Sequence, residues 1–260
     1  HCALTLEALS LGFHVLVEKP IARTTAEATL MVEAADKASR LLQVGHVERF
    51  NPATAAGLRI CDRPRYLVAE RLGPFTGRST DVDVILDLMI HDLDIVASLF
   101  HHPLREVRAI GVPILTPEID MAAVRLEFDD GAVAQLSAGR TSLEPVRKIR
   151  LFTMERYVSI DCQNREVKSV RRLPPATHSD WPQVMGEPVE VESADALAKQ
   201  DHDFVCCVRE RRAPVVDGRA GYRALALAEA IKAELRIPLP SEGVDGVPQH
   251  FGNQLERQSA

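Results

Sequence analysis

The sequence predicts two successive architectures: half of a doubly wound α/β sheet, then an open, mostly antiparallel sheet with packed helices (α+β). Three observations carry that prediction. Residues 1–45 alternate helix-type and strand-type patterns, as a parallel sheet requires. From Pro64 onward short β-type runs follow one another directly. A single apolar helical stretch, residues 79–100, interrupts those runs and carries a stripe of polar residues.

In chain order, residues 1–11 read as a short helix stopped by Gly12. His14-Val15-Leu16-Val17-Glu18 is a buried-type strand ending in Glu18-Lys19-Pro20. Thr24 or Thr25 caps the next helix, with Glu27 in its first turn, and residues 41–45 form the next strand. Ligands of such sheets bind beyond the carboxyl ends of the strands. Lys19 follows one such end and His46–Arg49 the next; Pro20 stiffens the turn that aims Lys19. Residues 66–72, 105–114, 121–128, 132–140, 147–153 and 156–161 then read as strands, with Asp129-Asp130-Gly131 as a hairpin turn. Residues 173–192 are Pro-rich and polar and read as a loop anchored by Trp181, before two closing helices at 194–211 and 218–235. The expected domains are 1–62 and 63–237, with residues 238–260 as a tail.

The stretch 79–100 reads as one helix of about five turns, capped by Ser79, Thr80 or Asp81. At about 100° per residue, Asp87, His91, Asp94 and Ser98 stack along one face, and only Asp92 lies off the line. A carboxylate and an imidazole on an otherwise buried helix must pair, bind a ligand or line a cleft. The expected arrangement is a pocket wall. A self-satisfied Asp87–His91 pair is the structural alternative. A metal site is a third reading, but His101-His102 and Cys206-Cys207 lack ligand spacing, so none is expected.

The 260 residues have 46% hydrophobic and 26% charged content, that of an ordinary globular protein. A net charge of −6 argues against nucleic acid, and no apolar run is long enough to span a bilayer. Five cysteines, odd in number and without a CxxC pair, read as free thiols in a reducing, cytoplasmic setting.

Three motifs in order carry a resemblance: Glu18-Lys19-Pro20, Val44-Gly45-His46-Val47-Glu48-Arg49-Phe50-Asn51-Pro52, and Asp87-x-x-x-His91-x-x-Asp94. Together they resemble the glucose–fructose oxidoreductase, inositol dehydrogenase and rhizopine-catabolism (Gfo/Idh/MocA) superfamily of NAD(P)-dependent oxidoreductases. The resemblance covers residues 1 to about 235 and implies a Rossmann domain followed by an open sheet that makes homo-oligomers. It implies catalytic roles for Lys19, Asp87 and His91. Cofactor contacts would come from Glu18, Lys19, Pro20, Arg49 and His1, though a helix-end residue is an equal reading of His1. Substrate contacts would come from Lys19, His46, Asp87, His91 and Asp94. Residues 86–94, 147–152 and 157–161 are most similar to the UDP-N-acetylglucosamine 3-dehydrogenases, a subgroup associated with 3-amino sugars for lipid A. An inositol or free-sugar dehydrogenase of the same superfamily is the alternative. The expected small-molecule substrate is thus a sugar or sugar nucleotide, and the expected cofactor NAD or NADP.

One departure is large. The sequence contains no GxGxxG turn between a strand and a helix, nor the acidic ribose-binding residue that follows it. The chain therefore reads as an N-terminally shortened, inactive piece of an enzyme. A catalytically silent dimeric scaffold would share that lack, but would have no need of Lys19, Asp87 and His91 together. In the complete enzyme His91 is the expected base, because an unperturbed imidazole titrates near neutrality. Asp87 is expected to orient that imidazole, and Lys19 to stabilise developing alkoxide charge. The residues alone leave open whether Lys19 or His91 takes the first proton.

Overall fold

The computed structural model describes residues 1–61, 63–177 and 180–238. Its first part follows the expected order: α1 (Cys2–Ser10), β1 (Val15–Glu18), α2 (Thr25–Ala38) and β2 (Leu42–Gly45). β1 and β2 pair in parallel, from Val15 opposite Leu42 to Glu18 opposite Gly45. Thr24 caps α2 as expected, its hydroxyl accepting the Glu27 N–H at 3.2 Å. Leu9, Val17, Ile21, Met31, Val44 and Phe50 form the core of this part. Two elements beyond β2 were not anticipated, a 3₁₀ turn over Val47–Phe50 and α3 (Pro52–Ile60). Asn51 starts α3 by accepting the Ala53 N–H at 3.0 Å, with Pro52 at the first helical position.

The second part is a nine-stranded sheet built from β3 (Tyr66–Leu72), β4 (Leu104–Val112), β5 (Met121–Phe128), β6 (Val133–Gly139), β7 (Val146–Phe152), β8 (Arg156–Asp161), β9 (Glu166–Pro175), β10 (Pro182–Pro188) and β11 (Leu235–Arg236). The spatial order is β10-β9-β8-β7-β3-β6-β5-β4-β11, antiparallel except where β3 meets β6 and β4 meets β11. The six expected strands are present, and Asp129–Gly131 turns β5 into β6 with Gly131 at φ +78°. Residues 173–192 differ from expectation. They are not a loop but contain the end of β9 and all of β10. This hairpin is held by register and charge rather than burial: Glu187 accepts from Arg156 and Arg171, both at 2.5 Å. Alternation of apolar residues could not reveal it, because nearly every β10 side chain is exposed. Trp181, just before β10, is 80% exposed and anchors no core.

The stretch 79–100 is not one helix from Ser79. It is a π-helical turn over Ile85–Met89 that runs into α4 (Ile90–Leu99). Asp83 provides the cap, its Oδ1 accepting the N–H groups of Ile85 at 3.1 Å and Leu86 at 2.9 Å. The preceding segment is tied down by Arg140, which donates to the Ser79 carbonyl at 2.6 Å and the Val82 carbonyl at 3.0 Å. Arg140 is itself held by Asp120 at 2.6 Å.

Two closing helices match expectation, α5 (Ala196–Glu210) and α6 (Gly218–Ala233). α6 joins the two parts. A Cβ on Gly218 would lie 2.8 Å from Leu42, and one on Gly221 would lie 2.6 Å from Val44, so small residues let α6 press onto β2. Farther along, Ala224, Ala228 and Ile231 enter the core of the large sheet. That core also holds Leu67, Ile85, Met89, Ile90, Leu93, Val124, Leu136 and Ile149. The expected tail lies outside the described residues except for Pro238. No described helix is long and apolar enough to cross a membrane.

Candidate active site

β1 delivers Lys19 to the π-helical turn. The peptide bond between Lys19 and Pro20 is cis. Lys19 Nζ donates to the Asp87 backbone carbonyl at 2.5 Å and to Asp87 Oδ1 at 3.1 Å. Both partners are partly exposed, 20% for Lys19 and 28% for Asp87, so the pair stays open to what approaches from solvent. The wide turn matters here, because π-type turns leave backbone carbonyls less committed to the helix ladder. Asp87 thus engages Lys19 twice and makes no hydrogen bond to His91. That corrects the expectation that it orients the imidazole.

His91 lies in the first turn of α4 and is half-buried. Its Nδ1 is sealed and has no hydrogen-bond partner, which leaves Nε2 on the accessible side. Burial, together with the charges of Arg71 and Lys19, holds its pKa well below the ordinary 6.5. His91 is therefore a neutral imidazole at pH 7, not a group poised at neutrality as the sequence suggested. His46 packs edge-on against it, ring centroids 6.0 Å apart at 89°. His46 is 1% exposed, and neither ring nitrogen has a partner. Burial first, then Arg49 and Lys19, push its pKa down to about 3. His46 is accordingly a neutral, enclosed ring packed against His91. Its expected place among substrate contacts is not supported.

Beneath the cleft lies a group that the sequence reading missed. Arg71 on β3 donates to Asp92 through Nε at 2.9 Å and Nη2 at 2.7 Å, and to Glu48 through Nη1 at 3.0 Å. The three side chains are only 6%, 3% and 8% exposed. Burial works against the Arg71 charge, yet Asp92 and Glu48 outweigh it and hold the guanidinium above its usual range. For Asp92 burial wins over Arg71, and its pKa is raised. Glu48 follows β2, Arg71 lies in the large sheet and Asp92 is the residue after His91, so the triad clamps three elements around His91. A signal was present in the sequence: Arg71 shares the buried parity of Leu67 and Ala69 on its strand. Asp92 lies off the stripe because it is one step, about 100°, beyond His91 on the regular α4, and that step turns it to Arg71.

Asp94 and Arg49 were assigned to substrate and cofactor respectively. The structure instead brings them together, Arg49 Nη1 lying 3.4 Å from Asp94 Oδ2. Asp94 is 1% exposed, and burial outweighs Arg49 to push its pKa up to about 6. His1 Nδ1 donates to the Pro20 carbonyl at 2.8 Å, so His1 does lie beside the Lys19 turn. With Cys2, Ala3, Ala22, Arg23 and Glu27 it lines a hollow there. The exposed Glu18 carboxylate lies over Gly45, where a Cβ would come within 2.9 Å of it. No group of three or more His, Cys, Asp or Glu residues able to hold a metal occurs among the described residues.

Comparison with known proteins bears on this geometry. Residues 1–46 match the model for the "Oxidoreductase family, NAD-binding Rossmann fold", and residues 62–156 match the "GFO/IDH/MocA C-terminal domain". The UDP-N-acetylglucosamine 3-dehydrogenase of Acidithiobacillus ferrooxidans is 39% identical over 236 residues, covering 89% of this chain and 74% of that protein. The chain belongs to the Gfo/Idh/MocA family of NAD-binding oxidoreductases. A crystal structure of the same Acidithiobacillus enzyme superposes with a TM-score of 0.83, covering 90% of this chain and 75% of that one at 38% identity. Levoglucosan dehydrogenase in complex with NADH shares the fold alone, with a TM-score of 0.75 at 17% identity over 90% of this chain and 74% of that one.

The family is one of NAD-binding oxidoreductases, and the chain's residues fit one end of that cofactor. Lys19, Pro20, Glu18 and His1 gather at the carboxyl end of β1, where a nicotinamide and its ribose would meet a cation, a carboxylate and exposed carbonyls. The sequence offers no glycine-rich turn for the pyrophosphate.

Proposed function

We propose that the full-length protein oxidises a secondary alcohol of a sugar nucleotide, UDP-N-acetylglucosamine at carbon 3, in a pathway to 3-amino sugars of the lipid A type. The observation that carries this reading is the Lys19–Asp87–His91 cleft, in a chain 39% identical over 236 residues to a UDP-N-acetylglucosamine 3-dehydrogenase. NAD, when bound, supplies the hydride acceptor. The chain's own residues supply the rest. Lys19, anchored twice by Asp87, presents its ammonium to the substrate oxygen and stabilises alkoxide character. His91 accepts the hydroxyl proton at Nε2. Its depressed pKa keeps it unprotonated and ready at pH 7, and the same burial makes it give the proton up again quickly. The Arg71–Asp92–Glu48 clamp fixes the backbone on which His91 sits.

We also propose a homo-oligomer formed through the open face of the nine-stranded sheet, and a cytoplasmic location. That face carries a ring cluster of Tyr66, Phe152 and Tyr157, with centroids 5.5 and 4.9 Å apart. A substrate screen of the full-length protein with NAD tests the function. Turnover confined to inositols or free aldoses would reject the sugar nucleotide and leave the oxidoreductase standing.

A further inference from the structure

β3 and β7 run antiparallel, and their register sets Arg147 directly opposite Arg71. Residues directly opposite on a strand pair share a face, so Arg147 lies on the same side as Ile149 and Leu151, the side that packs against α4 and the π-helical turn. Like charges directly opposite one another destabilise a strand pair. For Arg71 the compensation is complete, with two carboxylates around it. Arg147 has none. It is exposed, and among the described residues its guanidinium makes no hydrogen bond or ion pair.

The neighbouring basic residues of β7 sharpen the contrast. Lys148 pairs with Asp161 at 3.6 Å and Arg150 with Glu70 at 2.7 Å, both on the open face. Arg147 is the β7 cation that faces the catalytic side and lacks a partner. Its charge is felt at His91 and at Asp92. Exposed and opposite Arg71 in the register, Arg147 offers a planar fork of five unused donors, a geometry that matches phosphate oxygens two at a time.

We propose that Arg147 determines specificity by gripping the diphosphate of the sugar nucleotide while the sugar hydroxyl sits at Lys19 and His91. The proposal rests on the sugar-nucleotide reading above and adds to it the residue that selects a phosphorylated substrate over a free sugar. Arg147 touches no reacting atom, so its loss acts on binding.

The experiment is steady-state kinetics of full-length wild type, Arg147→Gln and Arg147→Lys with UDP-N-acetylglucosamine and NAD, together with inhibition by UDP. Arg147→Gln should raise KM for the sugar nucleotide and Ki for UDP in parallel, each roughly 10- to 100-fold, the scale of one or two charge-assisted hydrogen bonds. Its kcat should stay within a few-fold, KM for NAD should not change, and Arg147→Lys should recover part of the loss. A sugar-nucleotide KM and a UDP Ki that stay within twofold in Arg147→Gln would overturn the proposal and leave the function intact. A wild-type enzyme that turns over no sugar nucleotide would overturn both, which separates the two failures.

Discussion

Replacing Arg71 by Met removes the cation from a buried charge cluster. In the native protein Asp92 receives two bonds from Arg71, at 2.9 and 2.7 Å, and among the described residues no other side chain donates to it. Glu48 keeps Asn51 Nδ2 at 2.8 Å and the Thr54 hydroxyl at 3.4 Å. The variant therefore strands one carboxylate wholly and the other in part, both less than a tenth exposed. Breaking a buried pair in this way costs about 3–5 kcal/mol. At about 2–4 °C per kcal/mol, the melting temperature should fall by roughly 6–20 °C. The loss should also depend on pH. Without Arg71 the burial that already raises the Asp92 pKa acts unopposed by that cation, so the folded state binds more protons than the unfolded chain and stability falls as pH rises. Thermal unfolding at pH 5 and pH 8 should show the larger deficit at pH 8. The triple variant Arg71→Met, Asp92→Leu, Glu48→Met should recover much of the loss, since a buried triad can be replaced by apolar residues at little cost. A deficit under about 1 kcal/mol for Arg71→Met, or a triple variant no better than the single one, would refute the clamp.

In the full-length enzyme Lys19→Ala and His91→Ala should each lower kcat by about 10²- to 10⁴-fold, with Asp87→Asn costing less. Wild-type kcat in His91→Ala across neutral pH would remove it as the base. Because burial holds the His91 pKa well below 6.5, the acid limb of the kcat profile should lie well below that value, and a limb centred near pH 7 would contradict that environment. Asp94, raised to about 6 by burial, weakens the fold as pH climbs from about 4 to 6, since the folded chain then holds the extra proton. Asp94→Asn should gain roughly 3 kcal/mol relative to wild type between pH 4 and pH 8, at about 1.36 kcal/mol for each tenfold difference in proton affinity between the folded and unfolded chain. An unchanged difference in urea melts at the two pH values would rule this out. For the 260-residue chain itself, β1 pairs only with β2, and Leu11 and Phe13 beside it are 67% and 60% exposed. Amides of residues 14–18 should exchange faster than those of β5 and β6, and NADH titration should show no micromolar binding without a glycine-rich turn; strong protection or tight binding would overturn this.

The parts of the fold legible in the sequence are those whose apolar residues keep a regular period. α2, β2, β5 and α6 matched closely because capping residues or clean alternation mark them. The β9–β10 hairpin was missed because ion pairs to Glu187 hold it, and these leave no hydrophobic period. The helix at residues 79–100 was misjudged at its start because three good capping residues, Ser79, Thr80 and Asp81, precede the real cap, Asp83. The same error explains the site. A uniform step of about 100° placed Asp87 over His91, but a π turn lies just before His91, and the Asp87 carboxylate goes to Lys19 instead. Lys19, Asp87 and His91 were still found, because a charged residue at a strand end and polar residues on an apolar helix stand out locally. Arg71 and Arg147 meet only through the pairing of strands about 75 residues apart, and such partners are not visible in a single chain read in order.

The most direct measurement incubates the full-length protein with UDP-N-acetylglucosamine and NAD, following NADH by absorbance and locating the new carbonyl by NMR. The reading predicts stoichiometric NADH, a ketone at carbon 3 of the sugar, and loss of both in Lys19→Ala. An absence of NADH with every sugar nucleotide tried, or a carbonyl at a different carbon, would contradict it.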